Sequence, residues 1–234
     1  MTCHICGSSV VSLGTKPFDT NNAAIPIVDE TLIEYTKCTK CFNIVAPEMC
    51  SWSAAALGAS VYNEDYVKYD PDYANGERAK DYGKFIKGLL PTFKDTHLDY
   101  GSGAGSLSIE LGWKSANYDP FSSTTLPEGI FKFITLIEVV EHSPDVVELF
   151  NTVIKYLDKK RGVIMLSTSL ATKDTDITWP YIAPRNGHIN IQTQESMKLI
   201  ASKHNMFFNS ITENIHFIQS TRNNFKDIQR GMRW

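Results

Sequence analysis

The sequence predicts an α/β fold: a doubly wound, mostly parallel sheet whose last strand is antiparallel, preceded by a small cysteine-containing segment. Three observations carry this prediction. Short apolar runs alternate with helical patterns along the middle of the chain, as in parallel sheets crossed by helices. The glycine-rich stretch HLDYGSGAG, at residues 97–105, joins the first of these runs to a helix. Near the end, two apolar runs flank the tight Glu213-Asn214 turn, a connection that only antiparallel strands allow.

The composition is that of a folded globular protein. The 234 residues are 42% hydrophobic and 21% charged, enough for one sizeable domain with an accessory piece. The net charge of −3 disfavours nucleic acid as a partner, because gripping a phosphate backbone needs an excess of Lys and Arg. No apolar run approaches the ~20 residues of a membrane span, and the N-terminus lacks the layout of a signal peptide. We therefore expect a cytoplasmic protein with no membrane partner, in an oligomeric state that the sequence leaves open.

Residues 1–50 contain two C-x-x-C pairs, Cys3 with Cys6 and Cys38 with Cys41. In a cytosolic chain this pattern favours a metal over disulfides. Four thiolates suit tetrahedral zinc and leave no open position for water. We therefore expect a zinc-ribbon-like segment that holds a structural zinc, the alternative being four free thiols.

Two segments with their own secondary structure precede the predicted sheet. The 31 residues between the cysteine pairs should carry a hairpin or loop, with candidate strands at Ile25–Val28 and Thr31–Tyr35. Residues 51–94 form a helical lead-in, with helices predicted at Ser53–Ala59 and Tyr73–Leu90. The tyrosine-rich stretch between these helices is either a packed joint or a cap over a ligand cleft.

Residues 95–220 contain the predicted sheet. Its longest apolar run, FKFITLIEVV, is typical of a central strand covered on both faces. The predicted strands are Thr96–Tyr100, Ala116–Tyr118, Phe131–Val140, Gly162–Thr168, Met206–Thr212 and Ile215–Ser220. The predicted helices are Ser106–Gly112, one beginning at Ser143-Pro144, and Thr193–His204 with Thr193 as its cap. Residues 221–234 form a basic tail.

The glycine-rich stretch has the chemistry of a small-ligand cradle. Three glycines, Gly101, Gly103 and Gly105, follow Asp99 at alternate positions. Glycine is needed where backbone φ is positive or where a ligand lies against bare main chain. The N–H groups at the start of the next helix attract a carboxylate or phosphate. Asp119, twenty residues after Asp99, is placed to accept hydrogen bonds from ribose hydroxyls.

These features together resemble a known family. The pattern D-x-G-x-G-x-G, the acid about twenty residues on and the later run ITLIEVVEH are similar to those of class I S-adenosylmethionine (SAM) dependent methyltransferases. The resemblance implies a Rossmann-like sheet, SAM as cofactor, and cofactor contacts from both acids, the turn glycines and the end of the fourth strand. The implied cofactor-binding residues are Asp99, Tyr100, Gly101, Gly103, Gly105, Asp119, Pro120 and Glu138.

Methyl transfer to an oxygen or carbon nucleophile benefits from a general base. Candidate bases are His142 in VVEHSP and His188 in RNGHIN, with Glu141 as a third candidate. Related small-molecule methyltransferases often carry His at matching positions. In the alternative interpretation, His142 fixes a loop by hydrogen bonding and His188 shapes a pocket wall.

The segment WPYIAPRNGH, at residues 179–188, follows a predicted strand and has the composition of a substrate-recognition loop. Trp179 and Tyr181 are candidates to stack on a sugar or aromatic ring, and Arg185 is a candidate partner for a phosphate or carboxylate. The alternative is a solvent-exposed connector.

The sequence thus predicts an enzyme that transfers a methyl group from SAM to an oxygen, nitrogen or carbon of a small molecule, in sugar or secondary-metabolite biosynthesis. One alternative is an RNA methyltransferase guided by the zinc ribbon, which the acidic balance disfavours. Another is a non-catalytic SAM-binding or partner-binding module. The chain departs from the family pattern at Lys132, where Asp is usual, and a third strand is hard to find between Phe121 and Phe131.

Overall fold

A computed structural model describes residues 1–93, 95–121 and 125–221. The chain divides into two compact units. Unit 1 comprises Met1–Ala74, Val140–Leu149 and Ser169–Ile200. Unit 2 comprises Asn75–Val139, Phe150–Thr168 and the chain from Ala201 onward. The predicted division at residues 50, 94 and 220 stays a prediction, and the predicted tail lies outside the described residues except for Thr221.

The described residues form ten strands and eight α-helices, which we number in chain order. The strands are β1 (Val10–Pro17), β2 (Leu32–Cys38), β3 (Ile44–Val45), β4 (His97–Tyr100), β5 (Ser115–Tyr118), β6 (Phe133–Ile137), β7 (Val163–Ser167), β8 (Asn190–Ile191), β9 (Phe207–Ser210) and β10 (Ile215–Gln219). The helices are α1 (Pro47–Cys50), α2 (Ala54–Ser60), α3 (Tyr66–Tyr69), α4 (Pro71–Ala74), α5 (Glu77–Leu89), α6 (Ser106–Leu111), α7 (Val146–Val153) and α8 (Gln194–Lys203). None of the helices in this part of the chain could cross a bilayer.

The sheet of unit 1 is antiparallel, with strand order β1-β2-β3-β8. Its β1–β2 hairpin is carried by the insert between the cysteine pairs, as predicted. The predicted strand Ile25–Val28 is wrong, because this stretch lies in the loop of the hairpin and the Asp19 carboxylate accepts hydrogen bonds from its Val28 and Asp29 N–H groups. Strand β8 joins a distant part of the chain to the cysteine-containing segment.

The sheet of unit 2 has the order β5-β4-β6-β7-β10-β9. Strands β5, β4, β6 and β7 are parallel, and β10 runs antiparallel to both β7 and β9. The predicted mostly parallel sheet with an antiparallel last strand is therefore confirmed. Between β5 and β6, no strand occurs among the residues that the structure describes.

Helix ends follow local capping chemistry. At α8 the predicted cap is confirmed, because Thr193 Oγ1 accepts from the Ser196 N–H at 3.0 Å and Ser196 Oγ accepts from the Thr193 N–H at 2.9 Å. At α7 the predicted start at Ser143-Pro144 is wrong, because Asp145 Oδ1 caps the helix by accepting from the N–H groups of Val147 and Glu148. The predicted helix Tyr73–Leu90 is interrupted at Gly76, whose φ of +76° belongs to the left-handed region.

Each unit has its own apolar core. In unit 1, buried residues of the hairpin and of β3 pack with those of the segment that precedes β8, including Tyr35, Ile44, Ile182 and Ile189. In unit 2, Ile86 of α5 and Leu107 of α6 belong to one cluster with Phe133, Met165 and Phe217 of the sheet. Continuous burial of β6 and β7 agrees with the sequence pattern of central strands.

Candidate functional site

The glycine-rich turn leaves the sheet at the end of β4. The N–H groups of Gly101 and Ser102 both donate to the Tyr118 carbonyl, at 2.7 and 3.0 Å, which fixes the turn beside the end of β5. Gly101, Gly103 and Gly105 have φ values of +79°, +51° and +77°. All three predicted glycines therefore adopt a backbone conformation that other L-residues rarely reach.

Space is the second reason for glycine in this turn. A Cβ at Gly101 would lie 2.4 Å from Val139 Cγ2, and one at Gly105 would lie 3.0 Å from Asn117 Nδ2. The turn thus brings bare backbone close to a neighbouring strand end. Helix α6 begins directly after it at Ser106, so that its first N–H groups follow the turn.

Asp119, the acid after β5, is joined to the turn. Its Oδ2 accepts from the Gly103 N–H at 3.0 Å, and its Oδ1 accepts from the Phe121 N–H at 2.9 Å. A carboxylate has about four acceptor positions, so two backbone bonds leave capacity for a diol. The following Pro120 is exposed. These two hydrogen bonds fix the orientation of the carboxylate.

Asp99, on β4, is 3% exposed and therefore almost buried. The Thr135 hydroxyl donates to Asp99 Oδ1 at 2.8 Å. Burial raises the pKa of Asp99 to about 6, with the Thr135 hydrogen bond opposing this rise and the Asp119 charge adding to it. At pH 7 the carboxylate is mostly ionised, as binding an ammonium group requires. The neighbouring Tyr100 ring packs against Tyr118 at a centroid distance of 4.8 Å.

Glu138, directly after β6, has a φ of +52°. This conformation is costly for a residue with a side chain, by ~1–3 kcal/mol. Ser167 at the end of β7 holds it, because Ser167 Oγ accepts from the Glu138 N–H at 2.9 Å and donates to Glu138 Oε1 at 2.7 Å. Sequence analysis missed Ser167, whose only signal was a hydroxyl ending an apolar strand. Strain of this kind is typical of functional positions.

The candidate bases lie together in unit 1. One ligand atom each of Glu141, His142 and His188 falls within 4.8 Å of the other two. His188 Nδ1 lies 2.7 Å from the Tyr181 carbonyl, which can only accept, so Nδ1 carries the proton and the lone pair of the neutral ring is on Nε2. Such a trio can share a proton or coordinate a divalent cation.

His142 has two neighbours at the same nitrogen. Its Nδ1 lies 3.0 Å from Tyr62 Oη and 3.0 Å from the Gly187 carbonyl. Gly187 has a φ of +83°, and a Cβ there would lie 2.7 Å from Tyr62 Oη. The hydrogen bond to Gly187 is what the loop-fixing interpretation expects, and Tyr62 is a neighbour that sequence analysis missed, since only the fold brings the lead-in to this position.

Trp179 and Tyr181 line an open pocket of about 500 Å³ in unit 1, together with Asn21, Asn22 and Ser169. Their rings lie 5.1 Å apart. The Tyr181 hydroxyl donates to Glu141 Oε1 and accepts from the Ser169 N–H at 3.2 Å. Tyr181 therefore connects the pocket to the trio of candidate bases.

Arg185 occupies a different environment from the loop position expected for it. It is 4% exposed, its Nη1 donates to the Val61 carbonyl at 2.7 Å and its Nη2 donates to Asn63 Oδ1 at 3.0 Å. Its guanidinium lies 4.0 Å from the centre of the Tyr69 ring. The side chain is thus engaged within unit 1. The alternative of a solvent-exposed connector is contradicted for residues 182–190, which are buried.

The four predicted metal ligands converge. The sulfurs of Cys3 and Cys41 lie 3.6 Å apart, those of Cys6 and Cys38 lie 3.4 Å apart, and all four fall within 4.8 Å of one another. A tetrahedral zinc site with Zn–S near ~2.3 Å separates its sulfurs by ~3.8 Å. None of the four forms a disulfide. The donor set and spacing therefore fit zinc.

Backbone geometry supports this fit. Cys38 Sγ accepts from the N–H groups of Lys40 and Cys41, both at 3.4 Å, as the sulfur of a metal-binding turn does. Gly7, directly after the first pair, has a φ of +73° that closes its turn. The hydrogen bond between Cys3 and Cys41 lowers the pKa of Cys3 and raises the pKa of Cys41, so that Cys3 is the thiolate acceptor and Cys41 the donor of this pair.

Comparison with known proteins identifies the chain. The profile of a family described as "Methyltransferase domain" matches residues 54–206, well over half of the sequence. The chain belongs to the methyltransferase domain family. No curated protein sequence matches it. The methyltransferase domain spans the glycine-rich turn, both acids and the candidate bases.

A solved structure shares the fold of this chain. A putative O-methyltransferase from Nostoc punctiforme superposes with a TM-score of 0.51 at 12% identity, covering 74% of this chain and 66% of that protein. CalO1, a methyltransferase of calicheamicin biosynthesis with SAH bound, gives a TM-score of 0.47 at 12% identity, covering 68% of this chain and 60% of CalO1. The pyocyanin biosynthetic protein PhzM gives the same score and identity, at 70% and 62% coverage. The chain thus spans about three fifths of the length of CalO1 and PhzM.

We predict that Gly101→Ala damages both stability and cofactor binding. A Cβ at a φ of +79° and 2.4 Å from Val139 forces the turn to move, so the unfolding free energy should fall by ~2 kcal/mol or more. Gly88→Ala is the matched control, because nothing lies within 4 Å of its Cβ position in α5. Urea unfolding and SAH titration of both variants measure the effect. Equal behaviour of the two variants would contradict the proposed role of bare backbone at Gly101.

Proposed function

We propose that this protein transfers a methyl group from SAM to a small-molecule acceptor. The observation that carries the proposal is the glycine-rich turn of the methyltransferase domain, in which Asp119 accepts from the Gly103 N–H and Asp99 lies directly before the turn. This arrangement offers a flat backbone surface between two carboxylates. SAM, when bound, supplies an activated methyl group on a sulfonium sulfur.

Each part of the cradle suits one part of SAM. The buried, ionised Asp99 is suited to the methionine ammonium group, and the N–H groups at the start of α6 are suited to the carboxylate. Asp119 is suited to the ribose hydroxyls. Glu138, held in a strained conformation by Ser167, is a further candidate for the cofactor side. Tyr100 and Pro120, beside the two acids, are candidates to line the pocket.

For the acceptor we propose a neutral, ring-containing small molecule that binds in the unit 1 pocket. The pocket has an aromatic wall of Trp179 and Tyr181, and its other polar lining side chains, Asn21, Asn22 and Ser169, carry no charge. Uncharged hydrogen-bonding groups beside aromatic rings suit a phenol or a sugar. Because Arg185 is engaged inside unit 1, an acceptor that depends on pairing its phosphate or carboxylate with this arginine is not favoured.

We further propose that His188 is the base that takes the acceptor proton, with Glu141 as the group that stabilises the resulting imidazolium. The proton on His188 Nδ1 is held by the Tyr181 carbonyl, which leaves Nε2 as the basic nitrogen. His142 is the second candidate, since its Nδ1 donates to the Gly187 carbonyl and the lone pair of the neutral ring is then on Nε2. For the four cysteines we propose one structural zinc, which supports the turns that precede and follow the β1–β2 hairpin.

Calorimetric titration tests the cofactor assignment. Asp119→Ala removes the acceptor for two ribose hydroxyls, each worth ~1.5 kcal/mol or more when the acceptor is charged. We therefore expect the Kd for SAM and for SAH to rise ~100-fold. Asp81→Ala, which removes an exposed carboxylate of α5, is the control and should bind both as the wild type does. Equal affinity of Asp119→Ala and the wild type would remove Asp119 from the site.

Acceptor scanning with methyl-labelled SAM tests the other half of the reaction. We expect label transfer to a neutral phenol or sugar, and a fall in kcat of ~100-fold or more in His188→Ala with the SAH affinity unchanged. His204→Ala, in an imidazole outside the trio, is the control. Transfer only to anionic acceptors or to RNA would contradict the proposed acceptor class. Unchanged kcat in His188→Ala and in His142→Ala would remove both as bases.

Elemental analysis tests the metal assignment. We expect one zinc per chain in the purified protein, and its loss in Cys38→Ser, because three sulfurs hold the ion much more weakly. Cys50→Ser is the matched control, since Cys50 is outside the cluster and its pKa is raised by burial to about 12. Protein without zinc, or zinc retained in Cys38→Ser, would refute the site.

A further inference from the structure

Four polar side chains form a row along the sheet of unit 2. They come from three neighbouring parallel strands: Ser115 from β5, His97 and Asp99 from β4, and Thr135 from β6. The strand register pairs His97 with Ser115 and Asp99 with Thr135. His97 and Thr135 are fully buried. A buried polar row in the middle of an apolar sheet is costly unless every member is hydrogen-bonded.

Consecutive members of the row are in hydrogen-bond contact. Ser115 Oγ lies 2.7 Å from His97 Nδ1, and His97 Nε2 lies 3.0 Å from Thr135 Oγ1. Thr135 Oγ1 lies 2.8 Å from Asp99 Oδ1. The Thr135 hydroxyl also lies 3.5 Å from the Leu98 carbonyl, a longer and weaker contact. The row therefore ends on the carboxylate.

The groups at the two ends of the row determine the direction of its hydrogen bonds. An ionised carboxylate only accepts, so the Thr135 hydroxyl donates to Asp99. Thr135 Oγ1 must then accept the proton of His97 Nε2. Burial lowers the pKa of His97 to about 3, so the ring is neutral and its Nδ1 accepts from the Ser115 hydroxyl. Every donor thus points toward Asp99, and such aligned bonds strengthen one another.

We propose that Ser115, His97 and Thr135 are positioning residues that keep Asp99 oriented and ionised for the ammonium group of SAM. The proposal rests on the proposed function, because it assigns a role toward a cofactor that Asp99 would bind. Thr135 occupies Oδ1 and thereby fixes the plane of the carboxylate. Asp119, after β5, is the other charged group that acts on Asp99 among the described residues, and its negative charge opposes ionisation. The aligned donors compensate for this repulsion and for burial.

A purely structural role would make a different prediction. If the row only satisfied buried polar groups, its loss would weaken binding of any ligand through general damage to unit 2. A positioning role affects only the ligand group that Asp99 meets. The two roles separate when two ligands are compared: SAH, which carries the ammonium group, and 5′-methylthioadenosine, which keeps the adenosine but lacks the amino acid end.

The experiment titrates both ligands into the full-length protein and its Thr135→Val variant between pH 5.5 and 7.5. We expect SAH affinity to fall ~10-fold or more at pH 7 in Thr135→Val, since a hydrogen bond to a charged group is lost, and 5′-methylthioadenosine affinity to change less than ~2-fold. Since an acid with a raised pKa is protonated as pH falls, SAH affinity of the wild type should decline as pH drops through about 6. Without the Thr135 donor this decline should begin at higher pH. Thr135→Ser should restore the wild-type profile.

His97→Phe tests the next link with its own control. Phe keeps the ring that stacks on Phe133 but has no nitrogen to donate to Thr135. His216→Phe makes the same change at another buried histidine of this sheet, which contacts Ser210 and the Thr168 carbonyl. We expect selective loss of SAH affinity in His97→Phe and not in His216→Phe. Ser115→Ala, at the less buried end, is a milder variant that should show the same selectivity if the others fail to fold.

The outcomes are distinguishable. An equal loss of affinity for both ligands in the Thr135 and His97 variants would overturn the positioning role alone. The same selective loss of SAH affinity in His216→Phe would also overturn it. Unchanged SAH affinity in Thr135→Val and Ser115→Ala also overturns it. A wild type that binds neither ligand overturns the proposed function, and this proposal with it. A wild type that binds SAH with no effect of Asp99→Asn removes Asp99 from the ammonium site and so overturns this proposal while leaving the methyltransferase proposal standing.

Discussion

The proposed cofactor site depends on one constraint, the close approach of side-chain-free backbone to its neighbours at the end of β4. Gly101 has room for a hydrogen but not for a methyl group beside Val139. The turn is then held from outside, by the Tyr118 carbonyl and by the Asp119 carboxylate. The protein's own contacts thus preorganise the proposed cradle, which reduces the ordering cost of binding.

Burial and hydrogen bonding have opposite effects on the charge of Asp99. Asp99 is buried, and burial disfavours its ionised form. The Thr135 hydroxyl of the next strand donates to Asp99, and the neutral imidazole of His97 donates to Thr135 in turn. Parallel strands make this possible, since their register places side chains of three strands in one line. The register of this one sheet therefore places both the buried carboxylate and its hydrogen-bond donors.

Unit 1 combines parts that are far apart in sequence. Strand β8 pairs with β3 of the cysteine-containing segment, and Tyr35 of β2 donates to the His188 carbonyl at 2.9 Å. The candidate base His188 is thus held by the same sheet whose hairpin lies between the two cysteine pairs. Loosening of the hairpin would therefore loosen the support of His188. Arg185, by contrast, lies over the Tyr69 ring and donates a hydrogen bond to the Val61 carbonyl.

The sequence by itself determined what depends on local chemistry. Glycines at positive φ, the Thr193 cap, the C-x-x-C pairs and the alternation of strands and helices in unit 2 follow from residue types and short spacings, which act over a few residues. Only the tertiary structure decided the rest: the pairing of β3 with β8, the burial of residues 182–190, the contact of Tyr62 with His142 and the row that ends on Asp99. These depend on which distant segments share a core, and no local pattern of the chain encodes that choice.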